Sequence, residues 1–390
     1  MEDKLTNVLI AIILVIIIGL AGMYAYKVTG NTSYMQDTAT NQIQDTISDE
    51  YIEDNTEVNE GNVNSIVVDE VVENNQSQTV IIPSSENNTQ ATISGQSTEA
   101  ASTYEYNNRY YYSQLDNYSK IIYDAIANNI ENLKSGRYVI SINGDFTPVL
   151  SQSDGQSKLK DYYDDAINAI NLDIPNLFYI DFSKMYLNIE TTSTIFNTEY
   201  RLYIDAGGNS TYFSSGFTSQ SQIESAINSI ETIKNSICKQ ASGDDYNKVR
   251  RTHDWLIEEI SYDSSSYNKG NIYGVFIEKK VVCEGYARAY KYLLDNLGIT
   301  NILVTGTATN SNGTTEEHMW NYVKINGEWY AVDPTWDDPI VYGGGTVSSG
   351  TKHRYFLIGS KDLYETHVEG KTISSSGKIF VLPTLSRENY

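Results

Sequence analysis

The dipeptide Asn326-Gly327 separates two strand-like runs, HMWNYVKI and EWYAVD. Asn-Gly between two such runs is the strongest short signal of a β-hairpin closed by a two-residue type I′ turn. A turn of that length fixes the pairing of the strands, and a shift of one residue would move every side chain to the other face. The predicted pairs are Ile325 with Glu328, Val323 with Tyr330, Asn321 with Val332, and Trp320 with Asp333.

This register brings His318 and Asp333 to one face of the predicted hairpin. His318 shares a face with Trp320, two residues along the strand, and Trp320 is paired with Asp333. The two residues are then diagonal neighbours, about 7–8 Å apart at the backbone and within side-chain reach. A carboxylate that accepts a hydrogen bond from one ring nitrogen leaves the other nitrogen to take a proton. Taken singly, His318 also fits a solvated loop residue, and Asp333 a turn residue before a proline.

Cys283 lies at the start of a helical pattern in EKKVVCEGYARAYKYLLDNLG, residues 278–298. The apolar positions have helical spacing, and Gly298 stands where a helix usually ends. These positions are Ala287, Tyr290, Leu294 and Leu297. Near a helix N-terminus the exposed N–H groups and the helix dipole favour a thiolate, although Glu284 opposes it as a like charge. Position alone leaves two readings open, a buried structural cysteine and a nucleophile.

The remaining histidines and the second cysteine are predicted to be structural. His253 lies on a helical apolar stripe, as a packed or rim residue, and His353 and His367 lie in polar surroundings with no partner pattern nearby. Cys238 falls in the helical run IETIKNSICKQ, where a small apolar thiol is an ordinary core residue. Two cysteines exclude a disulfide framework. The spacing of Cys, His and Asp does not match a metal-ligand motif, so we expect no metal and no cofactor.

The first 27 residues carry a long apolar run. No charge occurs from Val8 to Tyr26, and about 19 helical residues come close to spanning a bilayer core. A cleavable signal peptide is the alternative, but the run is long and no A-x-A site follows it. We expect residues 1–27 to form a single-pass membrane anchor, with the N-terminus cytoplasmic and the C-terminal part extracytoplasmic.

The rest of the chain divides into three segments by composition. Residues 28–105 are mostly Asn, Thr, Ser, Gln and Glu without persistent periodicity, which predicts a flexible, disordered tether. Residues 106–240 combine helical and strand-like runs and predict a mixed α/β region, with strands at RYVISI, NLFYIDF, MYLNIE and EYRLYID. Residues 241–390 contain the cysteine and the hairpin. The formal net charge of −23 argues against nucleic acid as a partner.

VVCEGYARAYKYLLDNLGI followed by HMWNYVKINGEWYAVDPTWDDP resembles the transglutaminase-like superfamily, a papain-related group of thiol enzymes. Its bacterial members share C-x-G-x-A at the helix start, H-x-W-N on one strand and W-x-x-x-D-P-T-W on the next. The matching residues are Cys283, Gly285, Ala287, His318, Trp320, Asn321, Trp329, Asp333, Pro334, Thr335 and Trp336. The resemblance covers about residues 245–340. It implies an α+β core in which the helix that begins at the nucleophile packs on an antiparallel sheet.

The resemblance also implies roles for the residues. Cys283 would be the nucleophile, His318 the general base and acid, and Asp333 the residue that orients the histidine. Candidates for the walls of the substrate cleft are Trp320, Asn321, Tyr286, Trp329 and Trp336. The implied activity is acyl transfer or hydrolysis at amide or peptide carbonyls through a thioester. Protein or peptide substrates at the cell surface or wall would be its partners, with the bilayer bound through the N-terminal helix. A non-catalytic protein-binding module on the same fold is the alternative, ahead of a purely structural surface protein.

Overall fold

The structure, a computed structural model, describes residues 109–208, 210–338, 350–370 and 378–390, together with the backbone of residues 77–83. The predicted membrane anchor (residues 1–27) and most of the predicted tether (28–105) lie outside the described residues. Among the helices that the structure describes, none combines the length and the apolar character needed to cross a membrane.

The first part of the described chain is a mixed α/β region. Its four-stranded antiparallel sheet has the order β1-β3-β4-β2. The strands are β1 (Ser77–Pro83), β2 (Ile140–Ile142), β3 (Tyr186–Ser193) and β4 (Thr198–Asp205). The helices are α1 (Asn117–Ala127), α2 (Ile130–Leu133), α3 (Thr147–Leu150), α4 (Gly155–Asp173) and α5 (Gln220–Gln240).

Two expectations for this region need correction. Residues 77–83, predicted as part of a disordered tether, form β1, because the run TVII has high β-propensity and the edge of β3 supplies backbone partners. The run NLFYIDF, predicted as a strand, forms turns and a short 3₁₀ helix, Phe182–Lys184. There the Asp181 side chain accepts a hydrogen bond from Ser183 N at 3.1 Å and so stabilises a local turn instead of a strand.

The second part of the chain contains a four-stranded antiparallel sheet of order β10-β7-β8-β9. Its strands are β7 (Asn301–Thr309), β8 (Thr315–Ile325), β9 (Glu328–Val332) and β10 (His367–Glu369). Strands β5 (Ser261–Tyr262) and β6 (Lys280–Val281) form a separate parallel pair. The helices are α6 (Asp245–Glu259), α7 (Cys283–Asn296) and α8 (Ser360–Leu363), with a π-helical turn at Gly274–Glu278.

The predicted register of the β8–β9 hairpin is confirmed. Ile325 pairs with Glu328, Val323 with Tyr330 and Asn321 with Val332. Asn326 and Gly327 have φ angles of 52° and 90°, as a type I′ turn requires. The hairpin therefore holds every side chain of β8 on the face that the sequence assigned to it.

Helix α7 packs against the face of β8 that carries Asn321 and Val323. Asn321 Nδ2 donates to the backbone oxygen of Ala287 at 3.0 Å, and both strand residues are fully buried. The helix ends as predicted at Gly298, whose φ is +74°, with Ile299 N bonded to Leu294 O at 2.9 Å. An antiparallel sheet with a helix that begins at Cys283 is the α+β core that the sequence predicts.

The mixed α/β region contacts this core directly, and the described residues between 77 and 390 form one compact unit. Arg288 on α7 donates to the backbone oxygen of Asn171 at 2.6 Å and to its side-chain oxygen at 3.0 Å. Lys234 on α5 donates to Asn296 Oδ1 at 3.0 Å. Helix α7 therefore contacts the sheet on one side, and α4 and α5 on other sides.

Gly285 allows the first turn of α7 to lie against its neighbours. A Cβ at this position would lie 2.5 Å from Val281 Cβ and 2.7 Å from the backbone oxygen of Lys269. We expect Gly285→Ala to lower the free energy of unfolding by about 1–3 kcal/mol, because the added methyl overpacks the site. Gly350→Ala is the matched control: its Cβ would meet nothing within 4 Å, so its effect should stay within about 0.5 kcal/mol. Equal urea midpoints for the two variants would contradict this packing.

Candidate active site

Cys283 is the first residue of α7 and is 5% exposed. Val282 precedes it in an extended conformation, and its backbone oxygen accepts from Gly285 N at 2.9 Å. Glu284, the like charge that opposes a thiolate, is paired with Arg288, whose Nε lies 2.9 Å from Glu284 Oε1. This ion pair offsets the carboxylate charge beside the thiol, so the helix N-terminus is left as a favourable place for a negative sulphur.

His318 on β8 is bonded to Asp333, which follows β9. His318 Nε2 lies 2.8 Å from Asp333 Oδ2, and both side chains are almost completely buried. The Cys283 side chain lies close enough to His318 to help raise the pKa of the imidazole. Because Asp333 holds Nε2, Nδ1 is the ring nitrogen left to face the sulphur. The structure therefore brings Cys283, His318 and Asp333 together in the order thiol, imidazole, carboxylate.

The charges of this group reinforce one another. Burial acts to lower the pKa of His318, but the charge and hydrogen bond of Asp333, helped by Cys283, outweigh burial and raise that pKa to about 10. Burial acts to raise the pKa of Asp333, and the hydrogen bonds and positive charge of His318 and His367 hold it well below its usual range. At neutral pH the arrangement is thus an imidazolium next to a carboxylate, with the thiol on the imidazolium's other side.

His367 on β10 is a second histidine at the same carboxylate. Its Nε2 lies 3.2 Å from Asp333 Oδ2, its Nδ1 lies 2.8 Å from Thr366 Oγ1, and the residue is 0% exposed. The sequence shows no partner pattern near His367, and the structure corrects its assignment as a structural residue in polar surroundings, because the pairing of β10 with β7 brings it to Asp333. No local sequence motif around His367 predicts this pairing between strands that are distant in the chain.

Asp333 is positioned by its own turn as well as by the histidines. Its Oδ1 accepts from the backbone N–H groups of Thr335 at 3.0 Å and Trp336 at 3.3 Å, while its backbone N donates to Tyr355 O at 3.0 Å. The sequence D-P-T-W therefore forms an Asx-type turn directly after the hairpin. That turn positions the carboxylate through backbone hydrogen bonds that do not involve the histidines.

Two tryptophans surround the imidazoles. Trp320 stacks on His318 with an interplanar angle of 22° and is fully buried. Trp336 is half-buried, with its ring 5.6 Å from that of His318 and 4.7 Å from that of His367. Of these two predicted cleft residues, Trp336 keeps part of its surface towards solvent, whereas Trp320 acts in packing.

The other predicted cleft residues lie elsewhere. Asn321 and Tyr286 are each 0% exposed; the Asn321 amide is bonded to Ala287, and the Tyr286 hydroxyl to Asp338. Trp329 is half-buried and packs 6.1 Å from Tyr110, near the turn end of the hairpin. Their role as cleft walls does not fit these positions, because hydrogen bonds and packing within the protein already occupy them.

The structure also contains two groups of side chains whose atoms could hold a metal ion. His318, Asp333 and His367 form one, and in the other are His253, Asp254 and His353; in each the candidate ligand atoms lie within 4.8 Å of one another. His253 is fully buried, which agrees with the packed residue that the sequence predicts, whereas His353 has a carboxylate partner that its polar surroundings do not indicate. Spacing along the chain does not reveal these groups, because their members come from separate elements.

The site combines a thiol at a helix N-terminus with an imidazole that a buried carboxylate orients. This is the class of arrangement found in enzymes that use a cysteine nucleophile. The fold that carries it is a helix that begins at Cys283 and packs on an antiparallel sheet.

Comparison with known proteins agrees with that class. Residues 232–334 match the family model described as the transglutaminase-like superfamily. The kyphoscoliosis peptidase of Mus musculus is 25% identical over 130 residues, which cover 30% of this chain and 19% of that protein, and the Homo sapiens protein gives the same values. The chain therefore spans about a fifth of the length of these relatives.

Solved structures give weaker likenesses. A crystal structure of a TGase is 14% identical, with 41% of this chain and 47% of that chain covered and a TM-score of 0.28. The periplasmic domain of TgpA from Pseudomonas aeruginosa, bound to ethylmercury, is 14% identical, with 39% and 72% covered and a TM-score of 0.23. The family match is confined to residues 232–334, and in that part the chain is similar to the transglutaminase-like superfamily.

The raised pKa of His318 predicts how stability depends on pH. The pKa rises from 6.5 to about 10 on folding, so the stability that protonated His318 contributes is complete below 6.5 and is lost as the pH rises through about 10. Between these values the free energy of unfolding should fall by about 1.4 kcal/mol per pH unit more in the wild type than in His318→Gln. Urea denaturation of both proteins at pH 7, 8 and 9 measures this. Parallel pH dependences would contradict a buried imidazolium.

Proposed function

We propose that the chain is a thiol enzyme that transfers or hydrolyses acyl groups at amide or peptide carbonyls. The observation that carries this proposal is the buried hydrogen bond between His318 and Asp333, with Cys283 at the first residue of a helix and close enough to help raise the pKa of the imidazole. In this proposal Cys283 is the nucleophile, His318 the general base and acid, and Asp333 the residue that orients the ring.

The first half of the reaction forms a thioester. The Cys283 sulphur attacks the carbonyl carbon as a thiolate, its proton being held by the His318 imidazolium, and the carbonyl oxygen becomes an oxyanion, for which the backbone N–H of Cys283 is a candidate donor. The C–N bond then breaks, and the leaving nitrogen takes a proton from the His318 imidazolium. Ammonia leaves from a carboxamide, and an amine leaves from a peptide. Asp333 stays ionised and stabilises the imidazolium until its proton is given up.

The second half releases the acyl group. Water or a primary amine attacks the thioester carbonyl, and His318 takes the proton that the attacking group loses. The C–S bond breaks and Cys283 leaves as a thiolate. Two features support this cycle in a dry site: Cys283 and His318 are both 5% exposed, and the rings of Trp320 and Trp336 pack on the imidazole. A water-poor site strengthens each of these electrostatic interactions.

The proposal extends to where the enzyme acts. The uncharged run from Val8 to Tyr26 supports a single-pass anchor with the C-terminal part outside the cell membrane, and the composition of residues 28–105 supports a spacer. Protein or peptide components of the cell surface are the substrates that this placement favours. The mouse relative is named a peptidase, which supports peptides among them.

Alkylation of the two cysteines tests the proposed nucleophile. We expect iodoacetamide to label Cys283 of the full-length protein at least 10-fold faster than free cysteine, because the helix N-terminus and His318 favour the thiolate. Cys238 is an internal control, since burial raises the pKa of its thiol. Peptide mapping after timed quenching gives both rates in one sample.

Matched variants separate catalysis from binding. His318→Gln and Asp333→Asn should each slow the labelling of Cys283 and leave the rate at Cys238 unchanged. Amine incorporation and peptide hydrolysis should both disappear in Cys283→Ala. If Cys283 reacts no faster than free cysteine, and Cys283→Ala retains partner binding equal to the wild type, the chain is a non-catalytic binding module and the proposal is wrong.

A further inference from the structure

All four histidines of the chain contact carboxylates, and two of them lie outside the Cys283 site. His253 and Asp254 are neighbours on α6, and His353 lies in the turns that precede α8. Asp254 Oδ1 lies 3.2 Å from His253 Nδ1 and 2.6 Å from His353 Nε2. The chemistry proposed for Cys283 does not use this group, which we call the His253 cluster.

The two ring nitrogens of His253 both face carboxylate oxygens. Nδ1 faces Asp254 at 3.2 Å, and Nε2 faces Asp337 Oδ2 at 3.1 Å. A neutral imidazole has one N–H, so it can donate to one of these oxygens and would direct a lone pair at the other. His253 and Asp337 are both 0% exposed, which makes such a repulsive contact costly. The arrangement therefore needs one more positive charge, which is either a proton on His253 or Asp337 or a metal ion beside Asp254.

The donor set fits a transition-metal ion. Two imidazole nitrogens and one carboxylate oxygen are ligands that zinc accepts at about 2.0–2.2 Å. In a tetrahedral site with bonds of that length the ligand atoms lie roughly 3.3–3.5 Å apart. The His253–Asp254 contact of 3.2 Å is already close to this value, and the 2.6 Å His353–Asp254 contact needs to open by less than about 1 Å. The Arg250 side chain contacts the other oxygen, Asp254 Oδ2, at 3.5 Å and leaves Oδ1 as the ligand atom.

Asp337 is a second, independent feature that points to a metal ion at the His253 cluster. Histidines that bind metals usually donate their other ring N–H to a carboxylate, which fixes the tautomer and the ring orientation. Asp337 does this for His253 Nε2 and is itself held by Tyr355 N at 2.9 Å. We propose that His253 Nδ1, His353 Nε2 and Asp254 Oδ1 bind a divalent transition-metal ion of the zinc type, oriented through Asp337, with a fourth position for water.

Such an ion would steady the turn that carries Asp333. Asp337 N donates to Asp333 O at 3.2 Å, and Tyr355 bonds to Asp337 through its N and to Asp333 through its O. An ion at the His253 cluster would therefore cross-link α6 and the turn around His353, and through Asp337 and Tyr355 it would stabilise the turn that contains Asp333. Asp254 and His353 remain 32% and 16% exposed in their side chains, so an ion can reach the cluster from solvent.

Titration of the full-length protein with Zn²⁺ alone, by isothermal calorimetry after treatment with a chelator, tests the proposal. We expect the wild type to bind a Zn²⁺ equivalent that His353→Gln and Asp254→Asn both lose. Asp337→Asn should bind it about 10–100-fold more weakly, because it leaves the ligands in place and removes their orientation. Circular dichroism of the metal-free variants shows which of them are folded, and a folded member of the first pair is sufficient for the test.

Two controls identify where the ion binds. His367→Gln alters the other histidine group and should retain the Zn²⁺ equivalent. The Co²⁺-substituted wild type should show visible d–d bands of a tetrahedral site without a sulphur-to-cobalt charge-transfer band, because neither cysteine is a ligand. The proposal is overturned if the wild type binds no Zn²⁺, if binding survives in His353→Gln, if only His367→Gln abolishes it, or if the Co²⁺ spectrum shows sulphur ligation.

Discussion

The carboxylate of Asp333 is a buried negative charge that two imidazoles and two backbone N–H groups share. His318 and His367 approach one oxygen, while Thr335 N and Trp336 N approach the other. A buried carboxylate stays ionised only when such partners replace its hydration. In return, its charge keeps His318 protonated and holds the ring towards Cys283. The proposed acid–base chemistry depends on this one group.

The fold supplies each partner of that carboxylate from a different direction. The type I′ turn fixes β8 against β9 and so places His318, the Asx-type turn after β9 places Asp333, and β10 at the far edge of the sheet brings in His367. Helix α7 brings Cys283 from the N-terminal end, and the close approach at Gly285 holds its first turn. A shift of one residue in the hairpin would remove His318 from Asp333 altogether.

The sequence predicted those features that short-range rules determine. Asn326-Gly327 set the register, the helical spacing after Cys283 and Gly298 bounded α7, and the two together placed His318 near Asp333. It missed His367, which depends on a pairing between distant strands, and the His253 cluster, which joins side chains from separate elements. The position of Asn321 also depends on long-range packing. Its amide donates to the backbone oxygen of Ala287 on α7, which the sequence around Asn321 does not reveal, and this bond does not fit the predicted role in the cleft wall.

Nitrogen NMR of the histidine rings tests the central claim most directly. With four histidines in the chain, each ring can be assigned from single variants of the ¹⁵N-histidine-labelled protein. We expect both nitrogens of His318 to remain protonated from pH 7 to 9 and the ring to lose its proton near pH 10, because Asp333 raises its pKa to about 10. A His318 ring that titrates near 6.5, as an ordinary histidine does, would contradict it.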